Sequence, residues 1–188
     1  MKNLAIFASG TGTNAKKIIE YFHTNLHINV RLVVSNKKDA PVLGIAQENN
    51  IETLVINRQD FYETKQLLQE LRQREIDWII LAGFLWLIPD YLVKAFDRKI
   101  INIHPALLPK YGGKGMYGMR VHEAVKAAHE HESGITIHYV NEHYDKGSII
   151  FQEKCVLEPN DTSEDIAHKV QALEHQYFAP VIEKLLQS

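Results

Sequence analysis

The segment that decides the fold lies near the N-terminus and reads Asn3-Leu4-Ala5-Ile6-Phe7-Ala8-Ser9-Gly10-Thr11-Gly12-Thr13-Asn14. Its first half is an apolar run of the length of one β-strand, and an amphipathic stretch with helical periodicity follows its second half. Glycines let the backbone turn sharply, and free N–H groups at a helix start bind anions. A plain strand-to-helix turn would also favour glycine and a Ser, Thr or Asn cap. Three hydroxyls and an Asn beside two glycines exceed what capping needs, so we expect an anion site here.

The anion that suits this loop is a single phosphate rather than a dinucleotide. No Lys-Ser or Lys-Thr pair follows the glycines, so the loop is not a Walker A motif. The third glycine of the dinucleotide fingerprint is absent, and Ser35-Asn36-Lys37 stands where an acidic residue would end the second strand. The loop therefore favours a monophosphate.

Apolar runs and amphipathic stretches alternate outward from this segment through the first two-thirds of the chain. Repeated strand–helix–strand units predict an α/β fold with a mostly parallel twisted sheet and helices on both faces. The predicted strands are Asn3–Ala8, Val30–Ser35, Thr53–Ile56, Trp78–Ala82 and Lys99–Ile103. The predicted helices are Asn14–Phe22, Val42–Asn49, Phe61–Arg74 and Pro89–Ala95.

The pattern changes after Ile103, where a loop rich in Pro and Gly begins. The sequence then predicts two late strands joined by a polar turn, between two helices. These elements are the loop His104–Gly118, the helix Met119–His131, the strands Gly134–Val140 and Ser148–Val156, and the helix Thr162–Leu186. Pro180 is expected to kink or divide the last helix. With no repeat and no linker, residues 1–188 are predicted to form one domain.

The most informative stretch for function is Ile100–Pro109, which contains Asn102-Ile103-His104. Side chains alternate along a strand, so Asn102 and His104 project from one side at its carboxyl end, where open α/β sheets bind ligands. An amide can donate to a developing oxyanion and an imidazole can move protons near neutral pH, which suits acyl transfer. A lone histidine is more often a core or capping residue, but the pairing with Asn favours a site. No Ser or Cys nucleophile is evident, so we expect direct attack by a substrate amine.

A carboxylate should accompany this imidazole, because it would orient the ring and favour its protonated form. The best candidate is Asp145, in the polar turn Glu142–Gly147 between the two late strands. An aspartate before a glycine is also an ordinary turn residue. Spacing alone does not show whether Asp145 meets His104.

Composition excludes several classes of protein. The chain has 188 residues, of which 45% are hydrophobic and 23% are charged. Its net charge of -2 gives no general electrostatic attraction to nucleic acid or anionic membranes. We expect small-molecule partners, no nucleic acid and no membrane. The apolar run at the N-terminus is too short for a signal peptide, and the single Cys155 allows no internal disulfide, so we expect a cytoplasmic protein.

A metal site is the main alternative that the histidines suggest. There are ten of them, and His122 and His129 are spaced to share one face of a helix. No Cys partner and no His-Glu-x-x-His spacing accompanies them. We therefore expect no metal.

Three motifs in the same order, Ser9–Asn14, Asn102–Pro109 and Asp145-x-Gly147, resemble those of the folate-dependent phosphoribosylglycinamide formyltransferases of purine synthesis. The similarity extends over nearly the whole chain. It implies a Rossmann-like formyltransferase fold and 10-formyltetrahydrofolate as co-substrate. It also implies that Asn102, His104 and Asp145 take the family's three catalytic roles at the formyl carbon.

The resemblance further implies two sets of binding residues around this trio. The phosphorylated substrate would contact Gly12, Thr13, Asn14, Gln171, Ala172, Leu173 and Glu174. The folate would contact Asn102, Leu85, Trp86, Leu87, Ile88, Asn141, Glu142, His143, Tyr144 and Asp145. A basic residue expected on the folate side is either Arg58 or Lys65, and the oligomeric state is either monomer or homodimer.

Two departures from the family pattern and several related activities keep alternatives open. The loop Lys110–Gly118 is richer in glycine than the family's version, and Ala106 replaces the serine of its His-x-Ser-Leu-Leu-Pro signature. Methionyl-tRNA and sugar-nucleotide formyltransferases, and formyltetrahydrofolate hydrolases, carry similar motifs. The net charge argues against tRNA. A non-catalytic nucleotide-binding module that uses only the glycine loop is a further alternative.

Overall fold

One sheet carries seven strands in the computed structural model, which describes residues 1–187. In chain order the strands are β1 Lys2–Phe7, β2 Ile28–Ser35, β3 Glu52–Val55, β4 Trp78–Leu81, β5 Ile100–His104, β6 Glu132–Tyr139 and β7 Ile149–Val156. Across the sheet they follow the order β3-β2-β1-β4-β5-β6-β7. The chain therefore winds outward from β1 to one edge and then crosses back to build the other half.

The first five strands pair in parallel, and β6 runs antiparallel to both β5 and β7. The predicted mostly parallel sheet with late antiparallel strands is confirmed. Because the connections leave β1 and β4 in opposite directions across the sheet, their carboxyl ends border a crevice at the switch point, the usual ligand site of open α/β sheets.

Helices cover both faces, as the sequence predicts. They are α1 Thr13–Phe22, α2 Pro41–Glu48, α3 Gln66–Gln73, α4 Asp90–Ala95, α5 Met119–Ala127 and α6 Ser163–Gln187. Leu4 and Ile6 of β1 pack in a core with α1 and α6, whereas Ala5 and Phe7 face a second core with α3 and α4. The alternation of side chains along a strand divides β1 between the two cores.

The predicted helix Phe61–Arg74 is wrong as one element. A π-helical turn, Asp60–Thr64, is separated from α3 by Lys65, whose φ of 56° is left-handed. The Thr64 hydroxyl donates to the Asp60 carbonyl and accepts from the Gln66 N–H, so a side chain replaces part of the backbone ladder. The predicted helix Met119–His131 is also too long, because α5 ends at Ala127 and His129 has a φ of 53°.

Helix α6 begins with a reciprocal cap. Thr162 Oγ1 accepts the Asp165 N–H at 3.1 Å, and Asp165 Oδ2 accepts the Thr162 N–H at 2.9 Å. Pro180 lies within the helix, which is not divided there. The first half of this long helix lies at the carboxyl edge of the sheet, where the cleft described next is found.

Candidate active site

A cleft of about 1020 Å³ opens at the carboxyl edge of β1, β4 and β5. Its walls are the glycine loop Ser9–Asn14, the segment Leu81–Ile88, the loop and first turn Gly113–Arg120, and one face of α6. Asn102, His104 and Asp145 all line this cleft. The structure therefore brings together the three residues that the sequence proposes for chemistry.

Strand β5 presents Asn102 and His104 on one side, as alternation requires. In the antiparallel pairing with β6, Asn102 lies opposite His138 and His104 opposite Thr136. His104 is only 3% exposed, whereas Asn102 is half-buried. The position of both side chains is therefore set by sheet register rather than by loop conformation.

Asp145 reaches this strand end from the turn after β6. Its Oδ2 atom lies 3.6 Å from His104 Nδ1 and accepts the Gly113 N–H at 2.9 Å. Asp145 has a left-handed φ of 53°, a conformation that Asp tolerates better than most residues. The contact with His104, which sequence spacing could not show, is present in the structure.

His138 is a fourth polar group at the site, and the sequence reasoning missed it. Its Nε2 atom lies 3.1 Å from Asn102 Nδ2 and 3.6 Å from Asp145 Oδ1. Its Nδ1 atom lies 2.8 Å from the Tyr139 carbonyl, which can only accept, so Nδ1 carries a proton. The available signal was alternation along β6, which places Thr136 and His138 on the side opposite Ile135 and Ile137.

At both His104 and Asp145, burial and the neighbouring groups shift the pKa in opposite directions. Burial lowers the pKa of His104 below its ordinary value, although the Asp145 charge and the Tyr111 carbonyl act to raise it. Burial acts to raise the pKa of Asp145, but His138, His104 and the Gly113 N–H together hold it below its ordinary value. Asp145 is therefore a carboxylate at neutral pH, and His104 in the free protein favours the neutral form more than sequence reasoning assumed.

The two ring nitrogens of His104 face two different groups of the protein, and Nε2 makes the hydrogen bond. Nε2 donates to the Tyr111 carbonyl at 2.8 Å, while Nδ1 faces Asp145. Tyr111 has a φ of 55°, and its hydroxyl donates to Glu130. The segment Tyr111–Gly113 therefore contacts both His104 and Asp145. A ligand that hydrogen-bonds to His104 Nε2 must displace the Tyr111 carbonyl.

The turn that follows His104 is held by Thr136. Its hydroxyl donates to the Ala106 carbonyl at 2.7 Å and accepts the Leu108 N–H at 3.0 Å. Gln152 donates to both the Thr136 hydroxyl and the Leu108 carbonyl. Ala106 is fully buried, so the turn keeps its hydrogen bonds without the serine that the family pattern has there.

The glycine loop approaches α2 closely at Gly12. Gly12 has a φ of 76°, and a Cβ there would lie 2.5 Å from Val42 Cγ2. Helix α1 starts directly after it without a side-chain cap, so its first N–H groups remain able to bind an anion. The loop geometry thus fits the expected phosphate site.

Helix α6 closes this end of the cleft with Gln171 and Glu174. Gln171 Nε2 lies 3.4 Å from Thr13 Oγ1, and Asn14 Nδ2 donates to Glu174 at 2.9 Å. Burial raises the pKa of Glu174, which the Asn14 hydrogen bond opposes. Ala172 and Leu173 do not line the cleft, because the helical period turns them away from Gln171 and Glu174.

The opposite wall of the cleft is aromatic and apolar. Leu85 is 38% exposed, whereas Ile88 is 2% exposed and belongs to the core. Trp86 packs against the rings of Phe61 and Phe84. Leu87, His143 and Tyr144 also line the cleft, but Asn141 and Glu142 do not.

The two basic candidates for the folate side differ in position. The Arg58 guanidinium lies 5.4 Å from the Tyr62 ring centroid and 5.9 Å from that of Trp86. Lys65 occupies the break before α3, and neither Lys65 nor Arg58 lines the cleft itself. Arg58 is therefore the candidate next to the aromatic wall.

The histidines do not assemble a metal site. Among residues 1–187, no group of three or more His, Cys, Asp or Glu side chains is placed to hold a metal ion. His122 lines the cleft, while His129 is exposed beyond the end of α5. No helix in the same part of the chain is long and apolar enough to cross a membrane.

Comparison with known proteins agrees with this geometry. The formyl transferase family matches residues 2–182. Phosphoribosylglycinamide formyltransferase of Bacillus subtilis is 37% identical, over 99% of this chain and 95% of its own length. The chloroplastic enzyme of that name from Vigna unguiculata is 43% identical over 98% of this chain, which spans only 61% of that relative's length. The crystal structure of phosphoribosylglycinamide formyltransferase from Bacillus halodurans is 36% identical, with a TM-score of 0.88 over 98% of this chain and 95% of that one.

The chain therefore belongs to the formyl transferase family. Within that family, the resemblance to phosphoribosylglycinamide formyltransferases that the sequence indicates is confirmed, and so is the Rossmann-like formyltransferase fold.

Proposed function

We propose that this protein transfers the formyl group of 10-formyltetrahydrofolate to the amine of glycinamide ribonucleotide in de novo purine biosynthesis. The observation that carries the proposal is the convergence of Asn102, His104 and Asp145 on one cleft, whose walls include the glycine loop Ser9–Asn14 and the aromatic segment at Trp86. The names of the relatives agree with it. A cytoplasmic location, a single domain and a monomer or homodimer stay predictions.

The two ends of the cleft suit the two substrates. The ribonucleotide phosphate would bind the free N–H groups at the start of α1, beside Thr13 and Gln171. The half-buried Trp86 and the exposed side chain of Leu85 offer a flat apolar surface for the pterin ring. Arg58, free of any ion pair within residues 1–187, would attract the carboxylates of the folate tail. The formyl carbon would then lie near β5.

In the reaction, the amine nitrogen attacks the formyl carbon and the carbonyl oxygen becomes an oxyanion. Asn102 would donate to that oxyanion from Nδ2. His104 would donate from Nε2, with the oxyanion taking the place of the Tyr111 carbonyl. This requires the segment Tyr111–Gly113 to move aside when substrates bind. The oxyanion adds to the negative charge of Asp145, so the pKa of His104 rises as the tetrahedral intermediate forms.

Completion of the reaction requires one proton to move. The attacking amine loses a proton, the bond between the formyl carbon and folate N10 breaks, and N10 gains a proton. Because Asp145 is ionised, its role is to hold the positive charge on His104 and to orient a water that passes the proton between the two nitrogens. No covalent enzyme intermediate is needed, since the cleft holds both substrates together.

The test is formyl transfer from 10-formyltetrahydrofolate to a panel of acceptors: glycinamide ribonucleotide, an amino sugar nucleotide, methionyl-tRNA and water. We expect transfer to glycinamide ribonucleotide to dominate. A preference for another acceptor would overturn the assignment of the acceptor but would leave the proposed formyl-transfer chemistry unaffected. Nucleotide binding without transfer to any acceptor would favour the non-catalytic module instead.

A further inference from the structure

The segment Ser35-Asn36-Lys37, at the carboxyl end of β2, has no role in the proposed reaction. A dinucleotide-binding protein would have an acidic residue near this position, which accepts a hydrogen bond from a ribose hydroxyl. Lys37 is exposed, and it lines the cleft together with the glycine loop Ser9–Asn14. A basic residue at this edge suits a negatively charged group on the ligand rather than a sugar hydroxyl.

The pairing of β1 with β2 places Lys37 beside the glycine loop. The two strands are parallel neighbours, so their carboxyl ends lie at the same edge of the sheet. The ladder continues past β1, where the Ala8 N–H donates to the Val34 carbonyl at 3.0 Å. Further along, the Val42 N–H at the start of α2 donates to the Gly10 carbonyl at 3.3 Å. Lys37 lies in the connection between these two contacts and therefore borders the glycine loop.

The backbone of Lys37 is held in place, whereas its charge is not neutralised within the protein. The Lys37 N–H donates to the Ser35 hydroxyl at 3.2 Å, and its carbonyl accepts the Ala40 N–H at 3.3 Å. Its ammonium group forms no ion pair among residues 1–187. A lysine ammonium is a compact positive charge with three donors on a flexible stem. Lys37 therefore carries a free positive charge from a fixed point on the wall of the cleft.

The other basic side chains near the cleft are placed differently. Lys16 and Lys17, early in α1, each form an ion pair within their own helix and do not line the cleft. Lys114 and Arg120 line the cleft, but they belong to the segment after β5, which lies two strands away from β1. Among the lysines and arginines of residues 1–187 that line the cleft, Lys37 is therefore the one that follows a strand next to β1.

The charge of a phosphate monoester requires more than the start of one helix. Such a group carries about -1.5 to -2 charges at pH 7. The N-terminus of a helix is equivalent to roughly +0.5 of a charge. The N–H groups at the start of α1 would therefore neutralise only part of the phosphate charge, and one ammonium group supplies a full unit more.

We infer that Lys37 binds the phosphate of the acceptor, together with the N–H groups at the start of α1. The inference rests on the proposed function and deepens it, because it makes the negative charge of the phosphate a determinant of acceptor specificity. It assigns Lys37 no part in the formyl transfer at β5.

The test compares variants of Lys37 in steady-state formyl transfer. Lys37→Met keeps the length of the side chain without its charge, and Lys37→Arg keeps the charge. We expect Lys37→Met to raise KM for glycinamide ribonucleotide roughly 5- to 30-fold, the lower part of the range for a hydrogen bond between charged groups because Lys37 is exposed, with kcat within about threefold of wild type. Lys37→Arg should restore most of the affinity. The matched control Lys38→Met changes the adjacent exposed lysine, which does not line the cleft, and should leave KM unchanged.

Two further readouts separate recognition of charge from a disturbed loop. In Lys37→Met, kcat/KM for the dephosphorylated glycinamide riboside should equal that of wild type, since this acceptor has no phosphate. Salt should raise KM for the ribonucleotide more steeply in wild type than in Lys37→Met, because salt screens an exposed charge pair. An unchanged KM in Lys37→Met, an equal loss on both acceptors, or equal losses in the Met and Arg variants with native circular dichroism would overturn the inference.

Binding of glycinamide ribonucleotide in the absence of folate, measured by calorimetry, tests Lys37 without turnover and should weaken by the same factor in Lys37→Met. If binding depends on Lys37 in this way but the wild type transfers no formyl group to the ribonucleotide, the proposed function fails and the inference stands. If transfer occurs and binding does not depend on Lys37, the inference fails alone.

Discussion

Replacing Asp145 with Asn tests how much of the proposed catalysis is electrostatic. The substitution keeps the size of the side chain and leaves an oxygen that can accept the Gly113 N–H. It removes the negative charge that lies 3.6 Å from His104 Nδ1. Burial disfavours the charged imidazole, and Asp145 is the largest opposing influence on its pKa. The variant should therefore lose the charged form of His104 while it keeps the fold.

The magnitude follows from the distance. Two unit charges 3.6 Å apart interact by about 4.6 kcal/mol at an effective dielectric constant of 20, and the Asp145 side chain is only 11% exposed. At 1.36 kcal/mol for each factor of ten, the upper bound is a roughly 10³-fold loss of kcat. We expect a fall of about 10²- to 10³-fold, since the Asn dipole recovers part of the interaction.

The assay is steady-state formyl transfer to glycinamide ribonucleotide from pH 5 to 9, with folate binding measured separately. KM should change little, and the limb of the kcat profile that reports His104 should move to lower pH. Asp97→Asn, at an exposed position outside the cleft, is the matched control and should behave as wild type. A kcat for Asp145→Asn within threefold of wild type, in a folded protein, would falsify the role given to this charge.

Four further predictions concern stability. Gly147→Ala would place a Cβ against the Tyr139 carbonyl oxygen and should lower the free energy of unfolding in urea by about 1–3 kcal/mol or more, together with turnover, because its turn carries Asp145. Gly44→Ala, with open space at an exposed helical position, should instead raise the free energy of unfolding by about 0.5–1 kcal/mol. A lower free energy of unfolding in this variant would contradict the assigned helix. Thr162→Ala removes the cap of α6 and should cost about 0.5–2 kcal/mol by the same measurement. Burial lowers the pKa of His122 below its ordinary 6.5, so its contribution to stability is present above that pH and is lost as the pH falls. The free energy of unfolding in urea should therefore differ less between pH 7.5 and pH 5.5 in His122→Gln than in wild type.

The sequence alone was sufficient for the scaffold and for one strand of the site. Alternating apolar runs and amphipathic stretches specify the parallel sheet, because each pattern is a local property of a few consecutive residues. Asn102 and His104 share a side for the same reason, since a strand alternates with a period of two. The glycine loop was likewise readable, because Gly12 occupies a turn that requires a left-handed φ.

The boundaries of some elements were not readable in this way. The segment Phe61–Arg74 has a helical period throughout, but the hydroxyl of Thr64 and the left-handed Lys65 interrupt it. Helix α5 ends before the sequence pattern does. Periodicity reports which face is apolar and does not report where a backbone hydrogen bond is exchanged for a side-chain one.

Only the tertiary structure decided how the site is completed. The approach of Asp145 to His104 joins the turn after β6 to the end of β5, two strands that pair in antiparallel register. The same register places His138 opposite Asn102. These contacts join residues far apart in the chain, so no local pattern encodes them. They arise from the pairing of strands and the packing of helices, which the whole fold determines together.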